Sequence, residues 1–174
     1  YSSFIATEAN EGLNEEHQEF LDIIIQSSQF MVGMISDMLD ISVIETGQLK
    51  LSAEPTEIVA LIEHNVDLNN TLASAKDIHI HFESNVSSLV VNVDPERIIQ
   101  VLNNLLNNAI KFSEPNSNVI VQVEQLDDHV VLTIEDAGQG IPAEQISTLF
   151  DSFARSTKRG TAGEKGTGLG LAIV

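Results

Sequence analysis

Gln100-Val101-Leu102-Asn103-Asn104-Leu105-Leu106-Asn107-Asn108-Ala109-Ile110-Lys111-Phe112 is an apolar, helix-compatible run interrupted by amides at helical spacing. At about 100° per residue, Asn104, Asn108 and Lys111 project from one narrow stripe, while Ile98, Leu102, Leu105, Ala109 and Phe112 cover the opposite side. One face packs and the other is left for chemistry. An Asn carbonyl oxygen can join a hydrated, oxygen-ligated cation without adding charge, and Lys supplies a point charge for phosphate, so the stripe suits a magnesium-nucleotide. Taken alone, it is equally what a solvated helix face offers.

Two glycine motifs follow in order. Strand-like Val130-Val131-Leu132-Thr133-Ile134 ends in Glu135-Asp136-Ala137-Gly138-Gln139-Gly140-Ile141-Pro142, a carboxylate followed by flexible backbone. Ionised Asp136 accepts only, which matches an exocyclic amine such as adenine's, and Gly138 and Gly140 let backbone approach a flat base. By itself the segment is also an ordinary Asp-Gly turn. Further on, Gly163-Glu164-Lys165-Gly166-Thr167-Gly168-Leu169-Gly170-Leu171-Ala172-Ile173-Val174 alternates glycine with other residues before an apolar stretch. Gly166, Gly168 and Gly170 are expected to present N–H groups to phosphate at a helix N-terminus. The segment lacks the preceding strand of a dinucleotide fingerprint and the Lys-Ser/Thr ending of a P-loop.

The order and spacing of these pieces resemble the catalytic, ATP-binding domain of sensor histidine kinases, within the gyrase, chaperone, kinase and mismatch-repair ATPase superfamily. The asparagine box corresponds to residues 104–112 and the first glycine box to residues 136–141, with Ala137 where the family usually has Asn. The phenylalanine box corresponds to Leu149-Phe150-Asp151-Ser152-Phe153 and the second glycine box to Gly166-Thr167-Gly168-Leu169-Gly170-Leu171. The resemblance spans most of the chain from about Asp94 onward. It implies ATP and Mg2+ as cofactors, with Asn108 as the metal ligand, Asn104 and Lys111 positioning phosphate and its water shell, and Asp136 reading adenine. Residues 166–171 (Gly166, Thr167, Gly168, Leu169, Gly170, Leu171) with Arg155 would hold the phosphates, and Phe112, Gly138, Gly140, Ile141 and Phe150 complete the nucleotide set.

Superfamily hydrolases resemble one another in placing a Glu four residues before the magnesium-binding Asn, where it activates water. Here that position is Asn104. A neutral amide is no general base, whereas an imidazole is already nucleophilic near neutral pH, so transfer to histidine is favoured over hydrolysis.

Charge points the same way. The chain has 26 acidic and 8 basic residues, a formal net charge of -18, which argues against nucleic acid or an anionic membrane surface as partner. Arg155, Lys158, Arg159 and Lys165 nevertheless cluster between the phenylalanine and second glycine boxes. Residues 156–165 carry almost no apolar side chain and read as a loop closing over ligand, by resemblance the ATP lid, or as a solvated basic loop.

The first third differs in kind. Residues 14–46 contain no Pro and one Gly, with Phe20, Ile23, Phe30, Met34, Ile41 and Ile44 on one seam and Leu21, Ile24, Met31, Ile35 and Met38 on another. Two seams mean one helix touching two neighbours, as in a four-helix bundle; an amphipathic helix docked on its own domain is the alternative. Residues 1–9 read as the end of a preceding helix, residues 10–13 as a turn, Asn14 as an N-cap and Gly47 as a stop. By resemblance this is part of the dimerisation and histidine-phosphotransfer hairpin, which implies a homodimer and a response-regulator partner. The expected domains are residues 1–52 for the hairpin and 53–174 for a C-terminally incomplete ATP-binding domain.

The family's phosphoacceptor His lies five positions before a Pro. The residues five before Pro55, Pro95, Pro115 and Pro142 are Lys50, Val90, Ile110 and Ala137, so none of His17, His64, His79, His81 and His129 qualifies. No catalytic residue is therefore assigned, and the acceptor is expected upstream of Tyr1. His79 and His81 share the polar face of a strand without a third clustered metal ligand.

Between hairpin and asparagine box, residues 49–51 read as a strand, 56–75 as a helix, and 78–82 and 89–93 as strands. Asp94-Pro95 starts the asparagine helix. Residues 118–125 and 129–135 form a hairpin through 126–128. The expected class is α+β: a two-layer α/β sandwich preceded by a helical hairpin fragment. No Cys is present, so disulfides are excluded. No stretch approaches the roughly 20 apolar residues of a membrane helix, so no direct membrane contact is expected from this segment; the expected location is cytoplasmic, either on its own or as the cytoplasmic part of a membrane-bound sensor. The function expected is the ATP-dependent core of a two-component histidine kinase. The alternatives are a regulatory nucleotide-binding module without catalysis and a superfamily ATPase.

Overall fold

The computed structural model describes residues 15–151, 160–164 and 166–174. The expected helix end and turn in residues 1–13, the Asn14 cap, Phe153 of the phenylalanine box, and Arg155, Lys158, Arg159 and Lys165 lie outside the described residues.

Helix α1 runs Glu15–Glu45. It stops at Gly47, whose φ of 65° is left-handed, and the Gly47 and Gln48 N–H groups donate to Ile44 O and Val43 O at 3.0 and 3.1 Å. This is a Schellman stop, where glycine avoids a Cβ penalty. Strand β1 (Glu54–Glu57) leads into α2 (Ile58–Ser74), followed by β2 (His79–Ser84), β3 (Val90–Val93), α3 (Pro95–Phe112), β4 (Asn118–Gln125), β5 (Val130–Asp136) and the short α4 (Ala143–Ile146). Residues 49–51 are not a strand; the first strand lies at Glu54–Glu57, where it pairs antiparallel with β3. Helix α2 starts later than expected because Glu57 serves as its cap, accepting from Ala60 N at 2.6 Å and from Leu89 N at 2.5 Å. Those bonds hold the Glu57 carboxyl below its usual pKa, the Leu89 bond contributing most. Asp94 and Pro95 start α3 as expected, Asp94 accepting from Arg97 N at 3.2 Å and from Ser52 N at 2.8 Å.

The main sheet has the order β2-β4-β5, with β2 parallel and β5 antiparallel to β4. Val119, Val121 and Val123 alternate inward along the central strand, and with Ile78 and Ile80 they meet Ile62 and Val66 of α2 and Leu102 and Leu106 of α3. Both helices thus cover one face of the sheet, giving an α+β fold with two layers. Burying each such Leu or Ile contributes roughly 1.5–3 kcal/mol. The buried side of α3 is Leu102, Leu106, Ala109 and Ile110 rather than the expected set, since Leu105, Ile98 and Phe112 are only half-buried. Counted from Asn104, Leu105 and Phe112 stand on the flank near 80–100°, while Leu106 and Ile110 stand nearer the opposite side.

Helix α1 meets this domain along one stripe. Ile41 is 5% exposed, and Met34, Asp37 and Asp40 are half-buried, whereas Phe20, Ile24, Met31, Ile35, Met38 and Leu39 are exposed. Asp40 accepts from Arg97 Nη1 at 3.0 Å and from Gln100 Nε2 at 2.6 Å, tying α1 to the first turns of α3.

Candidate functional site

Helix α3 is the hub of the site. Its asparagine stripe faces the second glycine box: Leu169 is buried, and a Cβ on Gly170 would lie 3.3 Å from Asn104 Oδ1. The Asn104 Nδ2 donor is buried without a protein partner. A donor left in this way costs about 1–3 kcal/mol unless something accepts from it, so the position suits an oxygen-rich guest such as a phosphate or its hydration water. Asn108 stands one turn further on the same face, half-buried.

Lys111 lies about two turns beyond Asn104 along the same stripe, against Gly166. A Cβ on Gly166 would lie 2.5 Å from Lys111 Nζ, and Nζ stands 4.9 Å from the Phe112 ring centroid. Burial pushes the Lys111 ammonium pKa down, the nearby Glu164 carboxylate opposes this, and Lys76 adds to it. A partly desolvated ammonium beside glycine backbone is poised to accept an anion.

Asp136 closes β5 beside the C-terminal end of α3. Its Oδ1 accepts from Gly138 N at 2.8 Å, while the side chain stays exposed. Ser113 bridges to Gly138, so the turn is seated on the C-terminal end of α3. A Cβ on Gly138 would lie 2.6 Å from both Asp136 Oδ1 and Phe112 O, which is why glycine stands there. Ile141 and Phe150 are exposed beyond this turn. The Asn104–Gly170 and Lys111–Gly166 contacts therefore set the second glycine box along one face of α3, and Phe112 at the end of that helix meets Asp136 and Gly138.

Within the second glycine box and the residues after it, Gly170–Ala172 forms a 3-10 turn. Among the described residues no group of three or more His, Cys, Asp or Glu could hold a metal. Magnesium held by Asn108 and phosphate oxygens fits that neutral donor set, since Asn supplies an oxygen without charge.

Three sets of residues escaped the sequence. Lys76 Nζ donates to Ile110 O at 3.0 Å, to Lys111 O at 2.8 Å and to Glu164 Oε1 at 2.9 Å, so one ammonium ends α3 and anchors residues 160–164. Thr161 joins it, donating from N to Lys111 O at 3.0 Å and from Oγ1 to Ser113 O at 2.7 Å. Asp37 of α1 accepts from Thr167 Oγ1 at 3.3 Å, and burial raises its pKa, partly offset by that bond. Asn65 and Asn69 interrupt the apolar face of α2 four residues apart, the only local signal that any of these contacts left in the sequence.

Lys76→Met is expected to lower stability by about 2 kcal/mol, because two helix-end carbonyls and a carboxylate lose one charged donor. Urea denaturation and faster amide exchange at Thr161 would register it. Burial alone would raise the Glu164 pKa, but the bonds from Lys76 and from backbone N–H groups outweigh it and leave the carboxyl below 4.5. The folded value being the lower one, this link stabilises fully above pH 4.5 and fades as pH falls through the folded pKa. Unchanged exchange at Thr161 in the variant would refute the anchor.

No helix among the described residues is long and apolar enough to cross a membrane. Residues 93–174 match the family described as histidine kinase-, DNA gyrase B-, and HSP90-like ATPase. The chain is 31% identical over 163 residues to the circadian input-output histidine kinase CikA of Synechococcus elongatus, covering 92% of this chain and 22% of that protein. It is 36% identical over 150 residues to the sensor histidine kinase RcsC of Escherichia coli K12, covering 84% of this chain and 16% of that one. The chain thus spans less than a quarter of the length of either relative. Among solved structures, full-length ShkA in complex with AMPPNP superposes with a TM-score of 0.77 at 25% identity, covering 94% of this chain and 34% of that one. The catalytic domain of histidine kinase ThkA superposes with a TM-score of 0.62 at 31% identity, covering 70% of this chain and 76% of that one.

Proposed function

Because the chain belongs to the sensor histidine kinases of the histidine kinase-, DNA gyrase B- and HSP90-like ATPase family, we propose that residues 53–174 form a Mg-ATP-binding core that phosphorylates a histidine outside this chain. The alignment of the second glycine box along the asparagine stripe, Gly170 against Asn104 with its unpartnered buried amide and Gly166 against Lys111, carries this proposal.

Asn104 donates its Nδ2 hydrogens to phosphate oxygens or their water, Lys111 balances phosphate charge, and Asn108 offers its amide oxygen to the metal. A magnesium ion held at Asn108 would supply positive charge to offset the charge that builds on the phosphate oxygens. The glycine box lets backbone N–H groups come within reach of phosphate where a Cβ would intrude. Asp136 orients the adenine by accepting from its amine. No residue on the stripe is a general base; transfer forms a bond from phosphorus to an imidazole nitrogen as the bond to the ADP oxygen breaks, and the domain supplies position and charge.

Residues 1–52, including α1, belong in this scheme to the dimerisation and phosphotransfer hairpin. The exposed apolar side chains of α1 support a homodimer with a second copy of the chain; membership of the histidine kinases supports a response-regulator receiver domain as phosphate acceptor and the cytoplasm as the compartment.

Calorimetry tests the nucleotide assignment. Mg-ATP is expected to bind at least about tenfold more tightly than Mg-GTP, since guanine turns a carbonyl oxygen toward Asp136 where adenine offers an amine. Asp136→Asn is expected to weaken ATP roughly five- to tenfold, a neutral acceptor being about half as strong. Equal affinity for the two nucleotides would remove Asp136 as the base reader.

A further inference from the structure

Helices α2 and α3 meet across an interface that is apolar except at one point. There Asn103 Oδ1 accepts from Asn65 Nδ2 and from Asn69 Nδ2, each at 3.1 Å, and Asn69 Nδ2 also reaches Asn65 O at 2.9 Å and Asn65 Oδ1 at 3.2 Å. Asn65 is 5% and Asn69 6% exposed. Three amides satisfying one another inside a layer of Ile62, Val66, Leu102 and Leu106 are a costly way to fill space that Leu would fill well. Apolar side chains tolerate rotation of one helix against another, whereas directional hydrogen bonds do not, and buried amides are the best-attested register devices between helices.

Asn103 adjoins Asn104, so its side chain leaves α3 about 100° away from the stripe, toward α2. We propose that Asn65, Asn69 and Asn103 are positioning residues, whose hydrogen-bonded triad fixes the rotation of α3 about its axis and with it the angle at which Asn104 and Asn108 face the glycine box. The proposal deepens the Mg-ATP assignment above and rests on it. The leverage is large: side-chain tips stand roughly 5–6 Å from a helix axis, so a rotation of about 20° sweeps them by about 2 Å. A displacement of about 1 Å already costs up to about 100-fold in a positioned reaction. None of the three amides need touch nucleotide to act in this way.

The test uses the whole chain with three variants, N103L, N103D and the triple N65L/N69L/N103L. N103L strands the buried Asn65 Nδ2 donor and leaves Asn69 Nδ2 only its bonds to Asn65; N103D keeps an acceptor oxygen for both; the triple removes every member together and leaves no orphan. Three quantities are read in each: the urea midpoint, affinity for ATP with and without magnesium, and the ligand-free side-chain amide resonances of Asn104 and Asn108. The triple is expected to keep its midpoint yet lose at least tenfold in Mg-ATP affinity, with displaced Asn104 and Asn108 resonances. N103D is expected to retain both the affinity and the resonances. Wild-type affinity and resonances in the triple, or affinity that follows the urea midpoint through all variants, would overturn the proposal. If the triple does not fold, N103L and N103D carry the same comparison, and identical resonances and affinities in that pair would overturn it. Failure of the wild-type chain to bind Mg-ATP would instead refute the nucleotide assignment, while the ligand-free resonances would still judge the triad.

Discussion

Asn108→Asp is expected to lower Mg-ATP affinity by about 100-fold while leaving the fold intact, and Asn103→Asp by less than about threefold. The side-chain outline at position 108 hardly changes, so packing is spared. What changes is charge: a carboxylate is placed beside phosphates, where two unit charges 4 Å apart interact by about 4 kcal/mol at an effective dielectric of 20. Lysine and metal offset part of that, and a 100-fold loss corresponds to about 2.7 kcal/mol. The new carboxylate is also a better magnesium ligand in the absence of nucleotide, so the metal dependence shifts toward binding of metal alone. Asn103 points toward α2 instead, and an Asp there still accepts from Asn65 and Asn69. Calorimetry over a magnesium series separates the two variants. Equal losses of affinity and equal metal dependence would refute the assignment of the two helix faces.

The second large effect is all-or-none. Incubated with ATP labelled at the γ-phosphate, this chain is expected to acquire no acid-labile phosphate, whereas a longer chain extended upstream through a His-x-x-x-x-Pro motif becomes labelled. Phosphoryl transfer needs the nucleophile about 3–3.5 Å from phosphorus and in line with the leaving oxygen. His17 lies near the start of α1, His64 on the exposed side of α2, His79 and His81 along β2, and His129 beside the turn before β5. Those positions belong to elements other than the α3 and glycine-box segments that gather Asn104, Lys111 and Gly170. Acid treatment followed by peptide mapping reads the outcome directly. Robust acid-labile phosphate on His17 would show that α1 itself carries the acceptor.

Helix α3 shows how far local pattern reaches. The separation of 104, 108 and 111 puts three side chains on one stripe whatever the rest of the chain does, because a helix repeats every 3.6 residues. Asp94-Pro95 sets the start of that helix by the same local chemistry, a side-chain acceptor and a preset φ. The opposite side was less legible. Leu105 and Leu106 are both apolar and adjacent; counted from Asn104, Leu106 stands opposite the stripe and faces the sheet, while Leu105 stands on the flank and is only half-buried. The run at 49–51 misled through its apolar side chains: the strand forms where β3 offers a partner, at Glu54–Glu57.

By itself the sequence determined the element order from α2 to β5, the placement of Asn104, Asn108 and Lys111 on one stripe of α3 and the carboxylate at the end of β5, all of them consequences of periodicity and caps acting within a few residues. Only the tertiary structure decided that Lys76 meets Glu164, that Asn103 takes hydrogens from Asn65 and Asn69, and that Asp37 meets Thr167. Those partners lie 34 to 130 residues apart, so no local spacing encodes them. Each is possible only after loop closure has brought helices and glycine segments together, and each is selected then because a buried donor or acceptor left unpaired costs more than the contact it makes.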